Sequence, residues 1–224
     1  MSFLHFANNS QRPDEGEEYD CLWKLRAVFH TDEAYVKFYN PLEHLAVDEV
    51  IVKFKGRVIF RQYSPRKRKR FSIKIYKHCD ELGYTYDMRV YLGKDSHSAT
   101  ENMTAKHATV RHLTCRVQGL GHKIFTDNFI SSPKLFDDLE RLKINSCRTI
   151  RPNRKDVPRD SGPKQLKLKR DDIRVKTRGG LTAFIWKDRQ EVYMLMNMDP
   201  PSAEGNVCDD INRPVKPHIV EWYN

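Results

Sequence analysis

No stretch of this 224-residue sequence is apolar for long enough to cross a bilayer. The opening Met1-Ser2-Phe3-Leu4-His5-Phe6 also lacks the basic start and apolar run of a secretory leader. No lipidation motif or basic amphipathic helix is present, so a membrane is not an expected partner. The cysteines Cys21, Cys79, Cys115, Cys147 and Cys208 are scattered, odd in number and never in a C-x-x-C pair. That spacing supports neither a disulfide framework nor a structural zinc site, and it places the chain in a reducing compartment, cytosol or nucleus. No internal repeat is visible, and nothing calls for a small-molecule cofactor. Acidic residues are in deficit: 30 Asp and Glu stand against 40 Lys and Arg, a formal net charge of +10 with a pI near 9.4. Such a surface suits a polyanion, with nucleic acid the leading partner.

The chain is long enough to bury a substantial core. Its most informative segment is Leu45-Ala46-Val47-Asp48-Glu49-Val50-Ile51-Val52-Lys53-Phe54, a strand whose alternation puts Asp48 on one face with Ala46, Val50, Val52 and Phe54. A carboxylate buried on such an apolar face is costly unless it is paired or holds a cation. After a loop from Arg57 to Arg70, alternation resumes at Phe71-Ser72-Ile73-Lys74-Ile75. The turn Asp80-Glu81-Leu82-Gly83 then leads into Tyr84, Tyr86, Met88, Val90 and Leu92 on one face, the pattern of an antiparallel hairpin. Helical spacing follows from Thr104 to Arg116, with Val110, Leu113 and Val117 as its stripe and Gly119 and Gly121 as stops. Lys123 to Asp127 reads as a short strand. Ser132 and Pro133 open a second helix with Leu135, Phe136, Leu139 and Leu142 on its buried face, and Ile144 to Arg151 reads as another strand.

Three strands in a meander followed by helix, strand, helix and strand is the order of an α/β, RNase H-like mixed sheet flanked by helices, in which acidic residues of the first and fourth strands lie side by side. Those positions fall on Asp48 and Asp127. Two carboxylates so placed repel each other, and a divalent cation resolves the repulsion while preparing an oxygen nucleophile for attack on phosphate. The rival reading of Asp127, before Asn128, is a turn or cap residue. Residues 152–164 read as a linker. Asp172 to Arg178, Leu181 to Trp186 and Glu191 to Asn197 read as short antiparallel strands, followed by a turn-rich tail.

The segments Leu45-Ala46-Val47-Asp48-Glu49, Phe54-Lys55-Gly56-Arg57, Ile73-Lys74-Ile75-Tyr76-Lys77, Tyr91-Leu92-Gly93-Lys94, Thr126-Asp127-Asn128-Phe129-Ile130-Ser131-Ser132, Arg151-Pro152-Asn153-Arg154-Lys155 and His218-Ile219-Val220-Glu221-Trp222-Tyr223-Asn224 resemble piggyBac-type transposases, in order along nearly the whole chain. The resemblance implies a partial RNase H-like catalytic core at 45–151, incomplete at its C-terminal end. It further implies a small antiparallel β insertion with a turn-rich tail at 152–224, and at 1–44 the remnant of an N-terminal helical DNA-binding and dimerisation region. Asp48 and Asp127 would be the first two catalytic carboxylates, holding Mg2+ to cut and rejoin DNA at TTAA targets. In the family, the stretch matching His218 to Asn224 leads into a Gly-Val-Asp-x-x-Asp segment with the remaining carboxylates, and this sequence stops before it. Arg148 also departs from the small residue usual at that position. The expectation is a truncated, nuclear, transposable-element-derived protein that binds DNA without transposing it, with a homodimer or pairing with full-length relatives as its assembly. The alternatives are a residual Mg2+-dependent nuclease using Asp48 and Asp127, and a non-catalytic interaction fragment.

Lys53, Lys55, Arg57, Arg61, Arg66, Lys67, Arg68, Lys69, Arg70 and Lys74 occur without an acidic residue among them, interleaved with Phe60, Tyr63 and Phe71. Lys55, Arg57, Arg61, Arg66, Lys67, Arg68, Lys69 and Arg70 are the candidate phosphate contacts; a solvated face or a nuclear import signal accounts for the same residues. His107 and His112, five apart, do not share a helix face as ligands and are expected at the surface, and Asp137-Asp138 as solvated charge. Trp23, Trp186 and Trp222 are expected in the core or in an interface.

Overall fold

Alternation along residues 44–53 produces β1 (His44–Lys53), in which Leu45 and Val47 are buried and Ala46 and Asp48 are exposed. The computed structural model describes residues 7–13, 16, 19–29, 37–66, 68, 70–93, 103–127, 133–150, 168–198 and 216–223. The following strands are β2 (Gln62–Tyr63), β3 (Phe71–Asp80), β4 (Thr85–Val90), β5 (Lys123–Thr126) and β6 (Asn145–Thr149). A closing meander, β7 (Ile173–Arg178), β8 (Leu181–Lys187) and β9 (Glu191–Met196), occupies the three segments expected of it. Helices among the described residues include α1 (Ala105–Leu113), α2 (Pro133–Arg141) and α3 (His218–Tyr223), besides a helical turn at 26–29.

These strands join in one mixed sheet, ordered β2, β3, β1, β5, β6, β9, β8, β7, with β4 also pairing β3. β1 runs antiparallel to β3 and parallel to β5, and β5 parallel to β6. The half that holds β4, β3, β1, β5 and β6 thus has the RNase H-like α/β order expected from the sequence, as an open sheet, and the antiparallel meander widens it beyond β6.

Local chemistry sets the helix limits. Thr104 caps α1 by accepting from the His107 N–H at 3.3 Å, and past its end Gly119 takes a φ of 72° that few other residues adopt. Pro133 opens α2, where its missing N–H costs nothing. Both helices cover one face of the sheet, burying Leu113, Leu135 and Leu139 against Leu45, Val47, Tyr76 and Ile124. At roughly 1.5–3 kcal/mol for each large apolar side chain taken out of water, this layer supplies much of the drive to fold. On the other face, α3 sets Ile219 and Val220 against Phe125, Cys147, Phe184, Trp186 and Met194. Trp186 is therefore a core residue, whereas Trp23 is half-buried and the Trp222 side chain lies outside the described residues.

Several expectations change. Tyr86 and Val90 do not share a face: a bulge opposite His78 and Cys79 puts an extra residue into β4, so Tyr86 joins the α1 layer while Val90 packs with Leu22 and Phe60. In the N-terminal segment Leu22 is buried, whereas Leu25 and Val28 are exposed. His107 is not a surface residue: its ring is buried and its Nε2 stands 2.8 Å from the Asp138 carboxylate, which is therefore not simply solvated. One turn of α1 faces α2 there, and the imidazole meets the carboxylate in the seam, where burial lowers the pKa of the ring. Arg148 is fully buried with its guanidinium 5.2 Å over the Phe136 ring, so the larger side chain is accommodated against α2.

His78 is wholly buried in β3, with Nδ1 2.9 Å from the Leu113 carbonyl, which fixes that nitrogen as the donor. Burial pushes its pKa from 6.5 down to about 4. Between those values the unfolded chain binds more protons than the folded one, so stability is full above about pH 6.5 and falls as pH falls. In urea unfolding, His78 should remove about 2 kcal/mol between roughly pH 7.5 and pH 5, and His78→Gln should flatten that slope; equal slopes would deny His78 this role.

Candidate functional site

The parallel register between β1 and β5 decides where the two acidic residues stand. Leu45 lies opposite Ile124, Ala46 opposite Phe125 and Val47 opposite Thr126; the next residue on each strand is Asp48 and Asp127. Neighbouring strands are about 4.8 Å apart, so the two carboxylates occupy adjacent positions where β5 ends. Alternation returns Asp48 to the face of Ala46 and places Asp127 two residues beyond Phe125, on the side away from α1 and α2. In open α/β sheets this is where ligands collect, outside the carboxyl ends of parallel strands.

One premise is corrected. Asp48 is not buried on an apolar face: Ala46, Asp48, Val50 and Val52 are all exposed, because both covering helices pack on the face of Leu45 and Val47. The charge needs no compensation for burial, and its Oδ1 accepts the Glu49 N–H at 2.6 Å. Asp127 is exposed as well. Among the described residues, no group of three or more His, Cys, Asp or Glu side chains is gathered around a common point.

Two neighbours of the pair escaped the sequence reading. Lys77 lies directly across from Asp48 in the β1–β3 ladder, on the same face, with its Nζ 3.3 Å from Thr85 Oγ1. Alternation along β3 gives its face, though not its pairing with Asp48. Tyr223 of α3 had no such signal, since it arrives from the far end of the chain. Its hydroxyl is 3.0 Å from Thr149 Oγ1 and donates to the Thr126 carbonyl at 3.4 Å, and its ring meets Phe125 edge-on at 6.3 Å. Burial raises its pKa, and the Asp127 charge adds to the effect. α3 is thereby fastened beside Asp127.

Past Asp48, residues Glu49 to Lys53 of β1 continue beyond the end of β5 and pair with β3 alone, so the β1–β3 hairpin overhangs the carboxylates. The basic loop lies beyond that overhang. Lys55, Arg57, Arg66, Arg68 and Arg70 are exposed; Lys67 and Lys69 lie outside the described residues. Arg61 is turned inward, donating to the Gly56 carbonyl at 3.0 Å with its guanidinium 4.6 Å over the Phe71 ring. Lys74 points to the opposite face and is ion-paired with Glu49. The arrangement therefore joins an exposed pair of carboxylates to a cationic loop along one hairpin. Among the described residues, no helix is long and apolar enough to cross a membrane.

Comparison with known proteins bears on the family and the fold. The family model described as Transposase IS4 matches residues 1–224. The human PiggyBac transposable element-derived protein 5 is 25% identical over 163 residues, which are 65% of this chain and 29% of that protein. A solved structure described as a piggyBac transposase synaptic complex with hairpin DNA superposes with a TM-score of 0.76 at 26% identity, over 98% of this chain and 45% of that one. The chain thus spans less than half the length of either relative.

The Tyr223 anchor is open to direct measurement. Tyr223→Phe keeps the ring on Phe125 and removes both hydroxyl hydrogen bonds, so it should lower stability by about 1 kcal/mol in urea unfolding. No change would mean that the hydroxyl contributes nothing to seating α3.

Proposed function

The chain belongs to the Transposase IS4 family and is related to the piggyBac-type transposases, and on that premise we propose that it is a transposable-element-derived protein that binds DNA in the nucleus. In this reading residues 45–151 carry the catalytic-type core, 152–224 the β-rich insertion, and 1–44 the end of the N-terminal DNA-binding and dimerisation region. The observation that carries the reading is the adjacency of Asp48 and Asp127 just past the last paired residues of β1 and β5, next to an overhanging hairpin whose loop is cationic. Lys55, Arg57, Arg66, Lys67, Arg68, Lys69 and Arg70 hold backbone phosphates, and Arg61 braces the loop. Binding of this kind is electrostatic and indifferent to sequence.

Transposases of this family type are metal-dependent, and the donor set here suits Mg2+. Asp48 and Asp127 offer exposed oxygen ligands from neighbouring strands, and Mg2+ is commonly held by one or two carboxylates with water and substrate phosphate completing its shell. When bound, the ion polarises a phosphoryl oxygen. The two carboxylates position it, and the cationic loop orients the DNA strand beside it. Phosphoryl transfer by two ions requires both the attacking and the leaving oxygen to be clamped, which two carboxylates do poorly. In this reading the pair of carboxylates and the cationic loop support DNA binding rather than excision or integration.

Two measurements test this. In a salt titration of duplex affinity, the slope of log affinity against log salt should be steep, and the triple variant Arg66→Ala, Arg68→Ala, Arg70→Ala should flatten it by about 2–3. A salt-independent affinity would remove the DNA reading. In a thermal melt, millimolar Mg2+ should raise the midpoint of the wild type and not of Asp48→Asn. If instead supercoiled plasmid is nicked, and nicking requires both Mg2+ and Asp48, the chain is a residual nuclease.

A further inference from the structure

Two aromatic rings on the overhanging hairpin serve neither the core nor the carboxylates. Tyr63 and Phe71 face each other in the β2–β3 ladder, with ring centroids 5.0 Å apart and planes tilted by 36°. Tyr63 is 60% exposed and Phe71 44%. Rings of this size left partly in water forgo apolar burial that would favour folding. One ring already has a partner: the Arg61 guanidinium lies on Phe71, held there by the Gly56 carbonyl. Arg61 and Tyr63 thus both contact Phe71, and Tyr63 is the more exposed of the two rings.

Its position gives the stack a meaning. Phe71 lies six residues from Lys77 on β3, an even number, so it shares the face of Lys77 and therefore of Asp48. At about 3.4 Å per residue the platform stands roughly 20 Å along the same face from the carboxylates. The loop that joins Tyr63 to Phe71 carries exposed Arg66, Arg68 and Arg70. Cations that track a phosphate backbone beside an exposed ring are the two components of single-strand recognition, because every base presents a π face whatever its identity.

We infer that Tyr63 and Phe71 form a stacking platform for an unpaired nucleobase of a DNA strand whose phosphates lie on the arginine-rich loop. The inference rests on the DNA-binding reading above and adds a preference to it. Within a duplex, bases are stacked on one another and offer no free face, so the platform selects single strands, frayed ends and loops. Tyr63 supplies the receiving surface. Phe71 packs against it and carries the Arg61 guanidinium.

The experiment compares two oligonucleotides of equal length by fluorescence anisotropy at one salt concentration, one of thymidines and one of abasic residues with the same phosphate charge. Wild type should bind the thymidine strand about tenfold more tightly than the abasic strand. Tyr63→Ala should abolish that difference and leave abasic affinity unchanged, and Tyr63→Trp should restore it. Equal affinity of the wild type for the two strands overturns the platform, as does a Tyr63→Ala effect equal on both, which would make the ring a support for the hairpin alone. If a duplex binds while the two strands are not distinguished, only the platform falls. If duplex, thymidine and abasic strands all fail to bind, the DNA reading falls with it.

Discussion

Parallel strands need a crossover between them, and here the crossover contains the β3–β4 hairpin and α1 before the chain returns as β5 beside β1. The backbone ladder formed on that return fixes Ala46 against Phe125 and Val47 against Thr126, leaving Asp48 and Asp127 as the next pair along. A slip of one residue would turn one of the two carboxylates to the helix-covered face. The buried set Leu45, Val47 and Ile124 resists that slip, since each would move from the core into water. The apolar layer thus holds the acidic residues in place without touching them.

The same ladder leaves the sheet uneven. β5 stops where β1 still has half its length to run, so the β1–β3 hairpin extends free of the parallel strands and carries its cationic loop past the carboxylates. On its outer side β3 is shared between β2 at one end and β4 at the other. α3 closes the opposite flank, its Tyr223 bridging Thr126 and Thr149 at the ends of β5 and β6. A negative pair is thereby set between a rigid core and a positive projection, which suits a ligand that is an extended polyanion.

Much of the fold was legible because its signals are local. Period-two runs gave the strands, Thr104, Pro133 and Gly119 marked helix limits, and the order of elements pointed to the RNase H-like arrangement before any contact was known. The failures have physical causes. Alternation says which residues share a face and not which part of a face is covered, so Asp48 was read as buried when it is exposed along with Ala46, Val50 and Val52. A bulge adds a residue that no periodicity announces, so Tyr86 and Val90 were put together and lie on opposite sides. Polar residues were assigned to solvent, yet His107 and Asp138 meet in the seam between two helices, 2.8 Å apart.

The sequence by itself determined the element order, the cationic character of one loop and the candidacy of two acidic residues, because composition, periodicity and spacing along the chain are enough for each. Only the tertiary structure decided that the acidic pair is adjacent and open, that Arg61 and Lys74 turn away from the cationic surface, and that Lys77 and Tyr223 stand beside the pair. Those facts depend on ladders and packing between residues far apart along the chain, and a linear pattern carries no record of which partner wins.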